Sequence, residues 1–245
     1  MAGRNYYMVT ALPSLGQLGT TPPLTIASML EHVAHRPIAR VLVGTLFLAD
    51  DLLQRDAMLA GELEQAQPAV LTRPQLSDEQ PLPAYLAAPE QAAPRRVAAD
   101  AVWADYFRHA ADVAKRTGCR FLGKWVGFEV ALRNALVAER AKTLDLEAYE
   151  YLVEPQLAAE ADLATTINEW AAAPNPLAGM KVLDQARWRW LNDNDAWYSF
   201  ADDELAAYAA RLMLLHRWDR LDQPSDEAAT PEAAKPDNTA MRMQP

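Results

Sequence analysis

Side chains that could bind a metal or act on a substrate occur at few places in this sequence. His32 and His35 are three residues apart beside Glu31, so a helix would place both imidazoles on one face. Two such ligands can share a metal, but the sequence offers no obvious third or fourth ligand and no HExxH motif. We therefore expect a solvated helix face here rather than a metal site.

Cys119 is the only cysteine, so the chain cannot form an internal disulfide or a cysteine-based zinc site. Arg116 and Arg120 flank it, and their positive charges would lower the pKa of the thiol if they lay close to it. A reactive cysteine also needs a base, and no histidine partner is evident. We expect an inert thiol.

The sequence also holds two weak binding signals. Asp193, Asn194 and Asp195 carry oxygens that suit a cation, but these residue types equally favour turns, and we expect a turn. Gly16-x-x-Gly19 matches neither GxGxxG nor a phosphate-binding loop. The sequence thus predicts no catalytic group, no cofactor and no metal.

Glu129 and Arg133 are the most informative polar pair. They are four residues apart, with the glutamate first, which is the favourable order for an ion pair on a helix. Both fall within the apolar stripe marked by Leu122, Trp125, Val126, Leu132 and Leu136. Two interpretations follow, a buried ion pair that fixes helix register or a polar contact for a partner or ligand. We expect the buried pair.

The elements that would position these residues are helical. Good helix formers dominate, Gly is scarce at 9 residues, and apolar residues recur with helical spacing. We predict an all-α, elongated multi-helix bundle with long helical hairpins and a short extended N-terminal segment over residues 5–23. Thr25 is a predicted N-cap, and Ser199 with Asp202 has capping-box spacing. The predicted helices cover residues 26–36, 38–65, 96–117, 120–143, 157–173, 181–192 and 202–220.

Changes in composition predict the domain organisation. Residues 67–95 contain six prolines, which is typical of a loop or linker. This segment separates an N-terminal unit of an extended segment and a helical pair (1–66) from a main helical domain (96–221). Residues 222–245 are rich in Pro, Asp, Ala and Glu, so we expect a disordered tail.

Charge is distributed unevenly along the chain. The net charge of −10 disfavours a nucleic-acid binder, and no apolar stretch approaches the about 20 residues of a membrane span. We expect a cytoplasmic protein without direct membrane insertion. Residues 95–142 carry ten Lys and Arg against five Asp and Glu, whereas residues 143–170 carry seven acidic residues and no basic one. Such segregation either steers docking in a complex or is ordinary surface charge.

The segment 187–218 holds four of the seven tryptophans. Trp188 and Trp190 are two residues apart and so cannot share one face of a helix. Leu214 and Trp218 add a second apolar line to the last helix, which is then central to the core or buried on two sides. We expect mostly core, with a candidate interface at one end.

An ordered set of segments carries a family resemblance. The segments are YYMVTALPSL, LPAYL, WADYF, FLGKWVGFEVALRNALVAERAK, LDQARWRWL and LAAYAARLMLLHRWDRL. Together they resemble the bacterial family called domain of unknown function 2764, which is found with V-type ATPase genes. That family is in turn similar to the helical socket protein of the central stalk in V/A-type ATPases.

The resemblance implies a noncatalytic structural or assembly component that links the rotor shaft and the membrane ring. Its partners would be the rotor proteins of the central stalk and the membrane ring, and it would lie at the inner membrane only through the ATPase. The alternative is a stand-alone helical enzyme or ligand-binding protein with an unrecognised site. A concave pocket with converging polar groups would favour that alternative. The candidate interface residues are Arg108, Arg116, Arg120, Lys124, Trp188, Trp190 and Trp218.

Overall fold

The computed structural model describes residues 5–87, 95–194 and 198–222. All regular secondary structure in these ranges is helical, which confirms the predicted all-α, multi-helix class. The α-helices are α1 (Tyr6–Thr10), α2 (Ile26–His32), α3 (Pro37–Leu59), α4 (Arg73–Leu76), α5 (Ala98–Thr117), α6 (Arg120–Thr143), α7 (Ala164–Ala171), α8 (Pro176–Asp193) and α9 (Asp202–Asp222). Single 3-10 turns lie at Ala84–Leu86, Ala148–Glu150 and Pro155–Leu157.

Helix α9 is the centre of the fold. Every residue from Glu204 to Leu215 is buried, and the helix packs most extensively against α3 and also against α2, α6 and α8. Its small residues allow neighbouring backbones to approach closely; they include Ala206, Ala207, Ala209 and Ala210. Of the two interpretations of this helix, the structure therefore supports a place at the centre of the core.

Helices α5 and α6 form the predicted hairpin. Gly118 ends α5 in the left-handed region, with a φ of 72°, where glycine meets no steric penalty. Cys119 caps α6 because its Sγ accepts the Leu122 N–H at 3.4 Å. Asp203 of α9 accepts the Phe121 N–H at 2.6 Å. The start of α6 is thus tied to the start of α9.

The segment predicted as a linker packs on α3. Asp51 is fully buried on α3, and its carboxylate accepts the N–H groups of Ala69, Val70 and Leu71 at 2.7–2.8 Å. Leu71 and the leucines at 76 and 86 belong to the same buried core as α9. The predicted division into units 1–66 and 96–221 is therefore wrong, because both contribute to one core. Residues 88–94 lie outside the described ranges.

Two segments differ from their predicted secondary structure because of contacts distant in sequence. Residues 6–10 form α1 rather than an extended run, and the Tyr6 ring packs on Phe200 with centroids 5.0 Å apart. Helix α7 is much shorter than the predicted helix 157–173. The Ala159 N–H donates to the Gly127 carbonyl at 2.9 Å, and a Cβ on Gly127 would lie 3.0 Å from the Ala159 Cβ. This close contact with α6 holds residue 159 in a conformation that is not helical.

Helix termini follow the predicted signals only in part. Thr25 caps α2 by accepting the Ser28 N–H, as predicted. Near the start of α9 the carboxylate of Glu204, rather than a Ser199–Asp202 box, accepts the N–H groups of Tyr198 and Phe200. The predicted tail is outside the described residues from position 223 onward, as is Asp195.

Replacing Asp51 by Ala should destabilise the protein by roughly 2–4 kcal/mol, because three N–H groups lose their acceptor and one of them is buried. Urea denaturation with a shared m-value measures the change. Asp112→Ala is the matched control, since Asp112 is exposed on α5 and its replacement should cost under about 1 kcal/mol. Equal losses for the two variants would contradict a special role for Asp51.

Candidate functional site

The polar centre of the molecule is a chain of charged side chains that joins four helices. Arg187 on α8 forms two hydrogen bonds with Glu129 on α6, at 2.7 and 3.0 Å. Arg187 also donates to Asp184, one turn earlier on α8, at 3.0 Å. Arg217 on α9 donates to the same Asp184 oxygen at 3.1 Å and lies 3.4 Å from Asp50 on α3.

These charges are largely removed from water. The side chains of Asp184 and Arg217 are 2% and 8% exposed, and that of Arg187 is 16% exposed. Burial alone would lower the pKa of Arg187, but the charges of Glu129 and Asp184 raise it above its ordinary value. The Arg187 guanidinium therefore stays charged, and each group of the network depends on its neighbours because an unpaired buried charge is costly.

A cavity of about 250 Å³ lies against this network. Aromatic and aliphatic side chains form most of its wall, among them Leu53, Trp103, Trp125, Met180 and Leu183. Five charged side chains also line it, and these are Glu129, Arg133, Asp184, Arg187 and Arg217. The volume is slightly below the about 300 Å³ at which drug-sized ligand pockets begin.

The predicted ion pair between Glu129 and Arg133 is wrong in its pairing. Glu129 binds Arg187, and Arg133 donates to Asp100 on α5 at 2.8 Å. The Arg133 guanidinium also lies over the Trp103 ring, 4.8 Å from its centroid. Pairs four apart on a helix gain only about 0.2–0.5 kcal/mol, so better partners on neighbouring helices outcompete them.

Trp188, Trp190 and Trp218 are mostly covered by the chain itself. Trp190 packs against three aromatic rings of α6, those of Phe121, Trp125 and Phe128, with centroids 5.2–6.0 Å apart. Trp188 and Trp218 are only 8% and 9% exposed. Trp188 and Trp218 meet at one surface pocket, which Leu18 also lines, but so little of each ring is exposed that the prediction of interface anchors lacks the exposure it requires.

The basic residues predicted for an interface fall into two groups. Arg116, Arg120 and Lys124 are exposed around the Gly118 turn, and we call them the basic tip. Arg108 differs, because it is half-buried and is paired with Asp105 and Glu154. The structure thus leaves the basic tip available to a partner and removes Arg108 from it.

The acidic stretch after α6 partly neutralises the basic hairpin within the chain. Glu154 pairs with Arg95 at 2.9 Å and Glu150 with Arg96 at 2.8 Å. Part of the charge segregation seen in the sequence therefore forms ion pairs within the fold, and only the charges that stay unpaired can steer a partner.

The two histidines and the cysteine that the sequence offered as candidates lie in surroundings that indicate no chemical role. A ring nitrogen of His32 lies 2.9 Å from the Met8 carbonyl oxygen, and His35 is exposed. Burial, assisted by Asp203, raises the pKa of the Cys119 thiol to about 12, although the Leu122 N–H acts in the opposite direction. The flanking arginines do not lower this pKa, in contrast to the effect considered from the sequence. Among the described residues, no group of three or more His, Cys, Asp and Glu side chains could hold a metal ion.

Sequence reasoning missed most of the network. It did not identify Asp50, Asp184, Arg187 and Arg217, since the contacts that join the helices span 33 to 167 residues. One signal was present in the sequence. Arg217 lies on a helix that is otherwise apolar around most of its circumference, and a charge in such a place needs a buried partner.

Replacing Arg187 by Met should cost roughly 3–5 kcal/mol, because it strands the carboxylates of Glu129 and Asp184. Arg189→Met on the same helix is the matched control. Arg189 is 57% exposed and lies 3.9 Å from Glu169, so its loss should cost under about 1 kcal/mol. Denaturant midpoints measure both changes, and a mild effect of Arg187→Met would show that the network contributes little to stability.

Within the described residues, no helix has the length and apolar character that are needed to cross a bilayer. Comparisons with protein-family models, curated proteins and solved structures find no match for this chain.

Proposed function

We propose that the protein is a noncatalytic helical adaptor of a V/A-type ATPase, similar to the socket protein of the central stalk, which connects the rotor shaft and the membrane ring. Besides the resemblance of the sequence segments, the observation that carries the proposal is an apolar hollow on the outer face of α3. Its volume is about 630 Å³, and exposed Val41, Val70 and Tyr85 line it together with Leu30 and Leu48.

The hollow has the composition of a protein contact surface. Val41 is 46% exposed, Tyr85 is 42% exposed and Val70 is 38% exposed, and all three lie together rather than scattered. Clustered exposed apolar residues of this kind mark interaction sites more often than isolated ones do. Glu31 and Arg40 also line the hollow and supply polar groups beside this apolar centre.

The basic tip supplies a second contact of different character. Arg116, Arg120 and Lys124 project from the closed end of the α5–α6 hairpin, and Asp203 behind them is engaged with the start of α6. Exposed charges act mainly on the rate of association and its dependence on salt. An adaptor with one apolar and one basic contact would bridge two partners, as the linkage of shaft and ring requires.

The charge network is more consistent with an adaptor than with an enzyme. Glu129, Asp184, Arg187 and Arg217 bind one another, so they hold helices together instead of awaiting a substrate. A rigid body whose helices are pinned in this way can transmit torque without chemistry of its own.

Affinity purification from native membranes tests the assignment. Tagged wild-type protein should co-purify with the ATPase rotor proteins, and Val41→Glu should reduce their recovery at least tenfold, because a charge then enters the apolar contact. The melting temperature should change little, since Val41 is half-exposed. Leu177→Glu is the control, as Leu177 is similarly exposed at 43% but lies outside the hollow. Wild-type protein recovered alone, with the ATPase present in the same sample, would overturn the proposal.

Charge reversal at the basic tip should slow binding to the purified rotor. We expect Arg116→Glu with Arg120→Glu to reduce the association rate and to weaken its salt dependence, because steering by opposite charges is lost. Arg73→Glu with Lys142→Glu changes the net charge equally at exposed sites elsewhere and should have a smaller effect. Association rates at low and high salt are the measurement. Identical rates for both double variants would remove the tip from the interface.

A further inference from the structure

The cavity beside the charge network holds a side chain whose hydrogen-bonding capacity is not fully used. Arg133 has five N–H donors, and its Nη2 donates to Asp100. Its Nε is buried and has no hydrogen-bond partner in the described part of the chain. The Arg133 side chain as a whole is 27% exposed and lines the cavity, so its guanidinium can offer donors that Asp100 does not use to an acceptor inside the cavity.

The rest of the cavity is suited to a flat apolar molecule. Trp103 and Trp125 are 5% and 2% exposed, and Leu183 and Met180 help to form the wall. A cavity of about 250 Å³ exceeds the engineered apolar cavity of about 150 Å³ that binds benzene, so a single ring fits. Met180 is 42% exposed and Leu53 is 37% exposed, which places part of the wall at the surface and gives a small molecule a way in.

The charges that line the cavity favour an acceptor over a cation. Both Glu129 oxygens accept from Arg187, and one oxygen of Asp184 accepts from Arg187 and Arg217. The second Asp184 oxygen has no partner among the described residues, but two guanidinium groups already bind this carboxylate and would repel a cation. Three guanidinium groups line the cavity, whereas Asp100 and Asp50, the carboxylates that pair with Arg133 and Arg217, lie outside its lining, so hydrogen-bond donors predominate on its polar wall.

We propose that this cavity is a binding site for a small planar aromatic molecule with one hydrogen-bond acceptor, a carboxylate or a carbonyl. The ring lies among Trp103, Trp125 and Leu183, and the acceptor binds the Arg133 guanidinium after a small rotation of that group. This site is separate from the apolar hollow on α3, so it does not depend on the proposed adaptor role.

Three probes of similar size distinguish the acceptor chemistry. Benzoate carries a carboxylate, benzamide a carbonyl, and benzylamine a cationic donor. Titration of ¹⁵N-labelled full-length protein, followed through the indole N–H signals, should show saturable binding of benzoate or benzamide with a Kd on the order of 1–10 mM, as is usual for ligands of this size. Benzylamine should bind at least tenfold more weakly. Equal binding of benzylamine, or no saturable change with any probe, overturns the proposal.

Variants then locate the site. Arg133→Met should weaken binding of the better probe at least tenfold, and Asp100→Asn should strengthen benzoate binding because it frees the guanidinium. A merely structural ion pair would not produce that gain, so unchanged or weaker benzoate binding by a folded Asp100→Asn variant contradicts the assignment. Met180→Trp should obstruct the cavity and abolish binding. Leu177→Trp, on the same helix and 43% exposed, should leave it intact. Equal effects of the two tryptophan variants would place the site elsewhere.

Discussion

The buried charges that run from Glu129 through Arg187, Asp184 and Arg217 to Asp50 are the constraint on which the helix arrangement depends. Removing each charge from water costs several kcal/mol, which only close, well-oriented partners offset. A shift of α8 by one residue would turn its side chains by about 100° and separate Arg187 from Glu129. The network therefore selects one register among the many that apolar contacts alone would allow.

That selection matters most for α9. A helix that is buried on all sides has no amphipathic face to fix its rotation. The alanine side chains of α9 are also too small to fix the rotation by interlocking with neighbouring helices. Polar contacts along its length supply the missing specificity, and in its middle Arg211 donates to the Leu191 carbonyl at 2.7 Å. Glu204 accepts backbone N–H groups of the segment before the helix, and Arg217 and Arg220 bind Asp50 near the other end. The core is thus apolar in composition but is aligned by polar contacts in the middle and at the ends of α9.

What the sequence predicted well is local, and what it predicted poorly depends on distant partners. Gly118 and Thr25 act through the backbone of their own turn, so the α5–α6 hairpin and the start of α2 were predicted from a few neighbouring residues. The partner of Glu129 is 58 residues away, and the short helix at residues 6–10 lies against Phe200. Rules based on residue spacing cannot predict contacts between residues so far apart in the sequence, because these contacts follow only from how the helices pack. Of the candidate site, the sequence identified Glu129 and Arg133 as unusual but not the residues that they meet.

Side chains that are already paired or buried within the fold are not available to a partner. Glu150 and Glu154 pair with three basic groups of the α5–α6 hairpin and the segment before it, so residues 95–142 are less basic on the folded surface than in the chain. The tryptophans that resemble interface anchors are likewise engaged in the core. The basic tip, the apolar hollow on α3 and a second exposed apolar cluster of Val97, Leu144 and Leu146 remain. Exposed apolar residues of this kind contribute little to the stability of the isolated chain. Surfaces that the fold itself does not use are where a partner can gain the most by binding, and the buried Trp188 and Trp218 offer little of such surface.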